Sequence, residues 1–131
     1  MIVLDTHVWV RWLEPENGPL PSRLQALLDS ADRLAVSAIS CWEIAYLTRQ
    51  GRAQLPLPIE AWLHEALSGS NIESLPVTTE IAAFAASLPL VHRDPADRFI
   101  IATALHYRHP LVSLDEKFSQ YSDLSGLLIR N

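Results

Sequence analysis

The sequence predicts an α/β fold in which a central parallel sheet of four or five strands is covered by helices on both faces. Three observations carry that prediction. Short apolar runs alternate with segments of helical periodicity. The runs are apolar throughout rather than alternately polar, as strands buried on both faces are. A chain of 131 residues, 49% hydrophobic and 19% charged, suffices for one domain with its own core, expected here to span residues 1–131.

Ile2-Val3-Leu4 reads as the first strand, ended by Asp5, and a helix is expected from His7 to Leu13, with Thr6 available as its cap. Three prolines and a glycine make Pro15 to Pro21 a loop, after which Ser22 opens a helix that buries Leu24, Leu27 and Leu28. Leu34 to Ser37 is the second strand. Ser40-Cys41-Trp42-Glu43 has the form of a capping box and places a helix to about Arg49, stopped at Gly51. Ile59 to Leu67 is helical, and Ile72 to Val77 is a third strand that Pro76 pushes toward an edge. Thr78 or Thr79 caps an alanine-rich helix through Ala86, and Pro89 to Pro95 forms a loop. Ala96 to Tyr107 is a strong helix, Leu111 to Leu114 a fourth strand ended by Asp115, and Leu127 to Ile129 a final edge strand. Trp9, Trp12, Trp42 and Trp62 are expected mainly in the core, and the five histidines on surfaces or in turns.

Composition excludes several functions. Ten Lys+Arg against fifteen Asp+Glu leave a charge of −5, which argues against nonspecific wrapping of nucleic acid. Nine of the ten basic residues are Arg, the type that grips phosphate in two-pronged geometry. The single Cys41 excludes a disulfide framework and fits a reducing cytoplasm, and no apolar run is long enough to cross a bilayer. The start of the chain lacks the pattern of a signal peptide. No G-x-x-x-x-G-K-[ST] or G-x-G-x-x-G loop offers a nucleotide cradle.

The acids are placed informatively. Asp5 and Asp115 lie at the carboxyl ends of two strands, Glu43 in the first turn of a helix that follows a strand, and Asp94 and Asp97 at the start of another helix. In an open parallel sheet these positions share one edge, where ligands bind. Unit charges ~4 Å apart repel by about 4 kcal/mol at an effective dielectric near 20, so convergence requires protonation or a cation. An oxygen ligand set without Cys or paired His suits Mg²⁺ or Mn²⁺, and such a site supports phosphodiester hydrolysis. Each acid also has a structural reading: Glu43 as the partner of Ser40, Asp94 as a cap before Pro95, Asp97 as a dipole partner and Asp115 as a turn residue.

The stretches Ile2-Val3-Leu4-Asp5-Thr6-His7-Val8-Trp9, Ser37-Ala38-Ile39-Ser40-Cys41-Trp42-Glu43-Ile44, His92-Arg93-Asp94-Pro95-Ala96-Asp97-Arg98-Phe99-Ile100-Ile101-Ala102-Thr103-Ala104 and Leu111-Val112-Ser113-Leu114-Asp115 resemble the PIN-domain ribonucleases, and within them the VapC toxins of type II toxin–antitoxin pairs. The resemblance covers nearly the whole chain and implies a PIN-like three-layer α/β/α fold. It places the family's acidic quartet on Asp5, Glu43, Asp97 and Asp115, with Asp94 as an extra acid. It implies Mg²⁺- or Mn²⁺-dependent cleavage of RNA, a homodimer, and a VapB-like antitoxin lying across the helices near the site, with Trp9 and Trp12 as candidate groove residues. On that basis Asp5, Asp97 and Asp115 are expected to hold the metal and Glu43 to act on the attacking water. Thr6 and Ser113 are expected to hold the carboxylates, and Arg98 either to contact phosphate or to form a structural ion pair.

Two rival readings accompany this one. A non-catalytic PIN-like binding domain would pair with a partner without chemistry. A receiver-type phosphoacceptor would need adjacent acids after the first strand, where Thr6 follows Asp5.

Overall fold

A computed structural model describes all 131 residues. Five strands, β1 (Ile2–Leu4), β2 (Leu34–Ser37), β3 (Ile72–Leu75), β4 (Leu111–Val112) and β5 (Leu128–Ile129), form one sheet in the order β3-β2-β1-β4-β5, with every pairing parallel. Six helices cover it: α1 (Thr6–Leu13), α2 (Ser22–Ser30), α3 (Ala38–Arg49), α4 (Ile59–Leu67), α5 (Thr79–Ser87) and α6 (Pro95–Tyr107). This is the expected α/β class. The order differs from the 2-1-3-4-5 arrangement of receiver-type domains, which removes that rival.

Strand alternation divides the core into two halves. Val3, Ala35, Leu75 and Leu111 point to the side covered by α5, α6 and the C-terminal segment, where they meet Ile81, Ile100 and Phe118. Leu4, Leu34, Val36, Ile72 and Val112 point to the other side and meet Val8, Trp9, Leu24, Ile44 and Trp62. Because side chains alternate with a period of two, a one-residue slip of β1 would exchange Val3 and Leu4, both fully buried, between two differently shaped packings.

Several expected boundaries shift for identifiable reasons. β3 stops at Leu75 because Pro76 has no N–H to continue the ladder, and it lies at the sheet edge as expected. β4 is two residues rather than four. Its pairing with β5 still extends one step further, the Ser113 N–H donating to the Ile129 carbonyl at 3.1 Å. The loop from Pro15 and the segment Glu116–Leu124 contain short 3₁₀ turns, and the latter buries Phe118, Tyr121 and Leu124. Ser22 does not cap α2, whose entry residue is Pro21. Thr78 caps α5, accepting the Ile81 N–H at 3.2 Å. Gly51, at φ +72°, ends α3 as expected.

The tryptophans divide unequally. Trp9 and Trp62 pack together with ring centroids 5.1 Å apart, both buried. With no exposed surface, Trp9 cannot line a groove, contrary to the sequence reading. Trp12 is half-buried and its indole N–H donates to Asp29 at 3.1 Å. Trp42, expected in the core, is 55% exposed.

Candidate active site

The chain runs from β1 outward to β2 and β3 and then returns to β4 on the other side of β1. The carboxyl ends of β1 and β4 therefore flank the switch point, the position where open parallel sheets bind ligands. A pocket of about 260 Å³ opens at this edge of the sheet and is lined by Asp5, Glu43, Asp94, Asp97 and Asp115, together with His7, Trp42, Tyr46, Leu47 and Arg52. All the predicted acids meet there.

Asp5 caps α1. Its Oδ1 accepts the Val8 N–H at 2.9 Å and its Oδ2 accepts the Ser113 hydroxyl, which ties β1 to the chain beyond β4. Thr6, the cap expected from sequence, is instead the first helical residue. Its hydroxyl lies 2.8 Å from that of Ser40 and joins α1 to α3. Burial pushes the Asp5 carboxyl above its ordinary range, against the stabilising Ser113 and Val8 hydrogen bonds.

Glu43 is not half of a capping box. α3 starts directly from β2 with Ser37 as its cap, accepting the Ile39 N–H at 3.2 Å. That places Ser40 inside the helix and Glu43 in its second turn. Two polar residues three apart look like a box wherever the helix begins, and the absence of any linker between β2 and α3 was not visible. Glu43 is 8% exposed, and its Oε1 is buried with no hydrogen-bond partner. An orphaned carboxylate oxygen costs free energy unless something outside the chain satisfies it. Burial raises its pKa, opposed by Thr6 and His7 and reinforced by Asp94 and Asp5.

Asp94 caps α6, accepting the Ala96 N–H at 3.0 Å, with Pro95 at the first helical position. This is the structural role expected of it, although it also lines the pocket. Asp97 lies in the first turn of α6, and its pKa is raised to about 7 by burial first and then by Glu43, Asp94, Asp5 and Asp115. Asp115 behaves oppositely. Burial pushes it up, but the Lys117 N–H, the His92 hydrogen bond and the charges of His92 and Lys117 outweigh that and hold it below its ordinary value.

His92, expected on a surface or in a turn, lies instead at the acidic cluster. The residue is 5% exposed. Its Nε2 lies 3.1 Å from Asp115 Oδ2 and 3.8 Å from Asp97 Oδ2. The Tyr121 hydroxyl accepts the His92 backbone N–H at 3.1 Å and lies 2.9 Å from Nδ1. When that hydroxyl gives its own proton to Nδ1, the remaining ring proton sits on Nε2, facing Asp115. Tyr121 also stacks on the imidazole, and Phe118 meets its edge. These partners are 26 and 29 positions away, so no local pattern announced them. Ligand atoms of His92, Asp97 and Asp115 all lie within 4.8 Å of one another.

Arg98 does neither thing expected of it. It is buried and its guanidinium donates to the carbonyls of Ala85, Leu88 and Pro89, each at 2.8 Å, and of Ala86 at 3.3 Å, away from the carboxylates.

The donor set fits a hard divalent cation: carboxylates predominate, an imidazole stands at one side, and one buried oxygen has no partner. If His92 orients Asp115 toward such an ion, His92→Gln and His92→Asn should separate. Gln carries its amide nitrogen near the place of Nε2 and keeps the contact to Asp115. Asn reaches only the place of Nδ1 and loses it. Calorimetric titration should show Mn²⁺ affinity weakened about 10–100-fold for Asn and close to the parent for Gln. Equal affinities would remove His92 from the metal site.

A parallel sheet whose switch point gathers carboxylates around a space for a cation defines a class of metal-site α/β domains. Residues 2–124 match the sequence description of the PIN domain, and the chain belongs to that family. It is 36% identical over 121 residues to ribonuclease VapC22 of Mycobacterium tuberculosis, covering 92% of this chain and 91% of the relative. The crystal structure of VapBC2 from Rickettsia felis, bound to a DNA fragment from their promoter, shares the fold with a TM-score of 0.70 at 18% identity and covers 98% of both chains. FitAcB from Neisseria gonorrhoeae matches with a TM-score of 0.58 at 28% identity over 88% of each chain.

Proposed function

We propose that this protein, a single domain over residues 1–131, is a divalent-metal-dependent endoribonuclease acting as the toxin of a type II toxin–antitoxin pair. The observation that carries the chemistry is the convergence of Asp5, Glu43, Asp97 and Asp115 on one pocket with the Glu43 Oε1 buried and unpartnered. Burial and four neighbouring carboxylates raise the pKa of Asp97 to about 7, and a bound cation relieves that repulsion. Similarity to ribonuclease VapC22 over most of the chain supports RNA as the substrate.

Asp97 and Asp115, with Asp5, hold Mg²⁺ or Mn²⁺. The Asp5 oxygens already accept Val8 and Ser113, which fixes the carboxylate while a second lone pair remains on each oxygen. When bound, the ion supplies positive charge beside the scissile phosphate and neutralises the cluster. Glu43 receives the proton of the attacking water, and the burial that raises its pKa makes it a stronger base. Ser113 holds Asp5 in register, and Thr6, bonded to Ser40, fixes α1 against the helix that carries Glu43.

Similarity to chains of toxin–antitoxin complexes supports a VapB-like antitoxin as partner. A basic side chain from it suits the carboxylate pocket. A homodimer and a cytoplasmic location, where RNA is available, complete the proposal. No helix is long and apolar enough to cross a membrane.

Purified protein with Mn²⁺ should cleave RNA. Asp5→Asn should lower cleavage by at least about 10²-fold with an unchanged circular-dichroism spectrum. Equal cleavage by the variant would reject the assignment.

A further inference from the structure

Trp42 and Tyr46 lie one helical turn apart on α3, with ring centroids 5.2 Å apart and ring planes within 9° of parallel. They are 55% and 46% exposed. Of the five large hydrophobic residues that the surface leaves open, only these two line the carboxylate pocket. The core does not use them, and Trp42 adjoins Glu43 in the chain.

We infer that Trp42 and Tyr46 form a stacking platform for a nucleobase next to the scissile phosphate. This deepens the ribonuclease reading and rests on it. Flat aromatic faces hold bases without regard to sequence, and base faces are available only where the strand is unpaired. Arg52 completes the site. It is exposed, forms no ion pair, and its one side-chain hydrogen bond is to Gln50 at 3.4 Å, so its guanidinium is free to meet a backbone phosphate on the same wall. The arrangement favours nucleic acid over a protein partner. Base, backbone phosphate and metal-held phosphate match the aromatic pair, Arg52 and the acids in turn, a run of chemistries that a nucleic acid carries.

The test has two arms. In the first, kinetics of cleavage are measured with Mn²⁺ on an RNA whose site lies in a loop. Trp42→Ala and Trp42→Leu should raise KM about 10-fold or more, with a much smaller change in kcat, while Trp42→Phe restores most of the loss. In the second, fluorescence anisotropy follows a labelled eight-nucleotide single-stranded RNA with Ca²⁺ in place of Mn²⁺, and the same loss of affinity for Ala and Leu is expected. A duplex of the same sequence should be insensitive to all three variants. If the parent protein binds the oligonucleotide through Trp42 but never cleaves, the nuclease reading fails and the platform stands. If Trp42→Ala cleaves and binds like the parent, the platform is overturned and the nuclease stands. Weakening of the antitoxin complex alone, with RNA parameters unchanged, also overturns it.

Discussion

Replacing Asp97 with Asn should abolish most RNA cleavage and, in the same molecule, raise the melting temperature of the metal-free protein. Both effects arise from one carboxylate. Its pKa stands at about 7 rather than 3.8 because it is buried beside Glu43, Asp94, Asp5 and Asp115. A displacement of that size corresponds to about 4 kcal/mol, and since the side chain is 20% exposed, solvent screening reduces it to roughly 2 kcal/mol. For a raised acid the folded state binds the extra proton. Stability of the metal-free protein is therefore greatest below about pH 4 with respect to this group and falls as pH rises toward 7. Burial displaces Asp5 and Glu43 in the same direction. Asp115 has the opposite sign and its contribution is present above its ordinary pKa. Asn removes the ionisation of Asp97, so at pH 8 the variant should melt roughly 6–10 °C higher than the parent in chelator, with a shallower slope between pH 4 and 7. In Mn²⁺ the parent should gain far more than the variant, because the ion binds only the folded cluster. Cleavage should fall by about 10³-fold, a loss of roughly 4 kcal/mol in transition-state stabilisation. Scanning fluorimetry across pH, with chelator or Mn²⁺, gives the first result and a gel assay the second. A variant that melts lower than the parent at pH 8 would show that repulsion in the cluster is already relieved by other means.

The fold was legible because its signals are local. Apolar runs such as Ile2–Leu4 and Leu34–Ser37 stand between helices whose entries and exits carry Asp94-Pro95, Thr78 and Gly51, and each of these sits where its backbone chemistry demands. The carboxylates were legible for a topological reason, since strand ends and helix starts of a parallel sheet share an edge. What the sequence could not reveal depends on side chains that meet from a distance. His92 enters the acidic cluster only because the 3₁₀ turns after Asp115 carry Phe118 and Tyr121 under it. Glu43 and Ser40 matched a capping pattern, yet the helix begins at Ala38. Trp42 and Trp9 have the same composition signal and opposite fates. α1 turns Trp9 onto Trp62, whereas the apolar stripe of α3 runs through Ile44 and Leu47 and leaves Trp42 on the pocket wall.

Arg98 was assigned from sequence to phosphate or to an ion pair because Arg beside Asp97 allows both. Its four carbonyl acceptors make a different prediction. α5 ends at Ser87, where the Ala85 carbonyl accepts the Leu88 N–H at only 3.4 Å and no backbone amide reaches the Ala86 carbonyl. The guanidinium supplies planar donors to Ala85, Ala86 and Leu88, then to Pro89, and its charge faces the negative end of the helix. Arg98→Ala should strand the Ala86 and Leu88 carbonyls and weaken the capping of Ala85, beside a pocket that opens to solvent, at a cost of about 2–3 kcal/mol to folding. Arg98→Lys should recover only part, because one ammonium cannot span four acceptors in the geometry of the fork. Urea denaturation of the metal-free protein measures the loss. RNA binding provides the second readout, since removal of a phosphate contact would shrink the slope of log K against log salt by about one. An unchanged slope with lost stability places Arg98 wholly in the fold. A reduced slope with normal stability would mean that the guanidinium leaves α5 when RNA arrives.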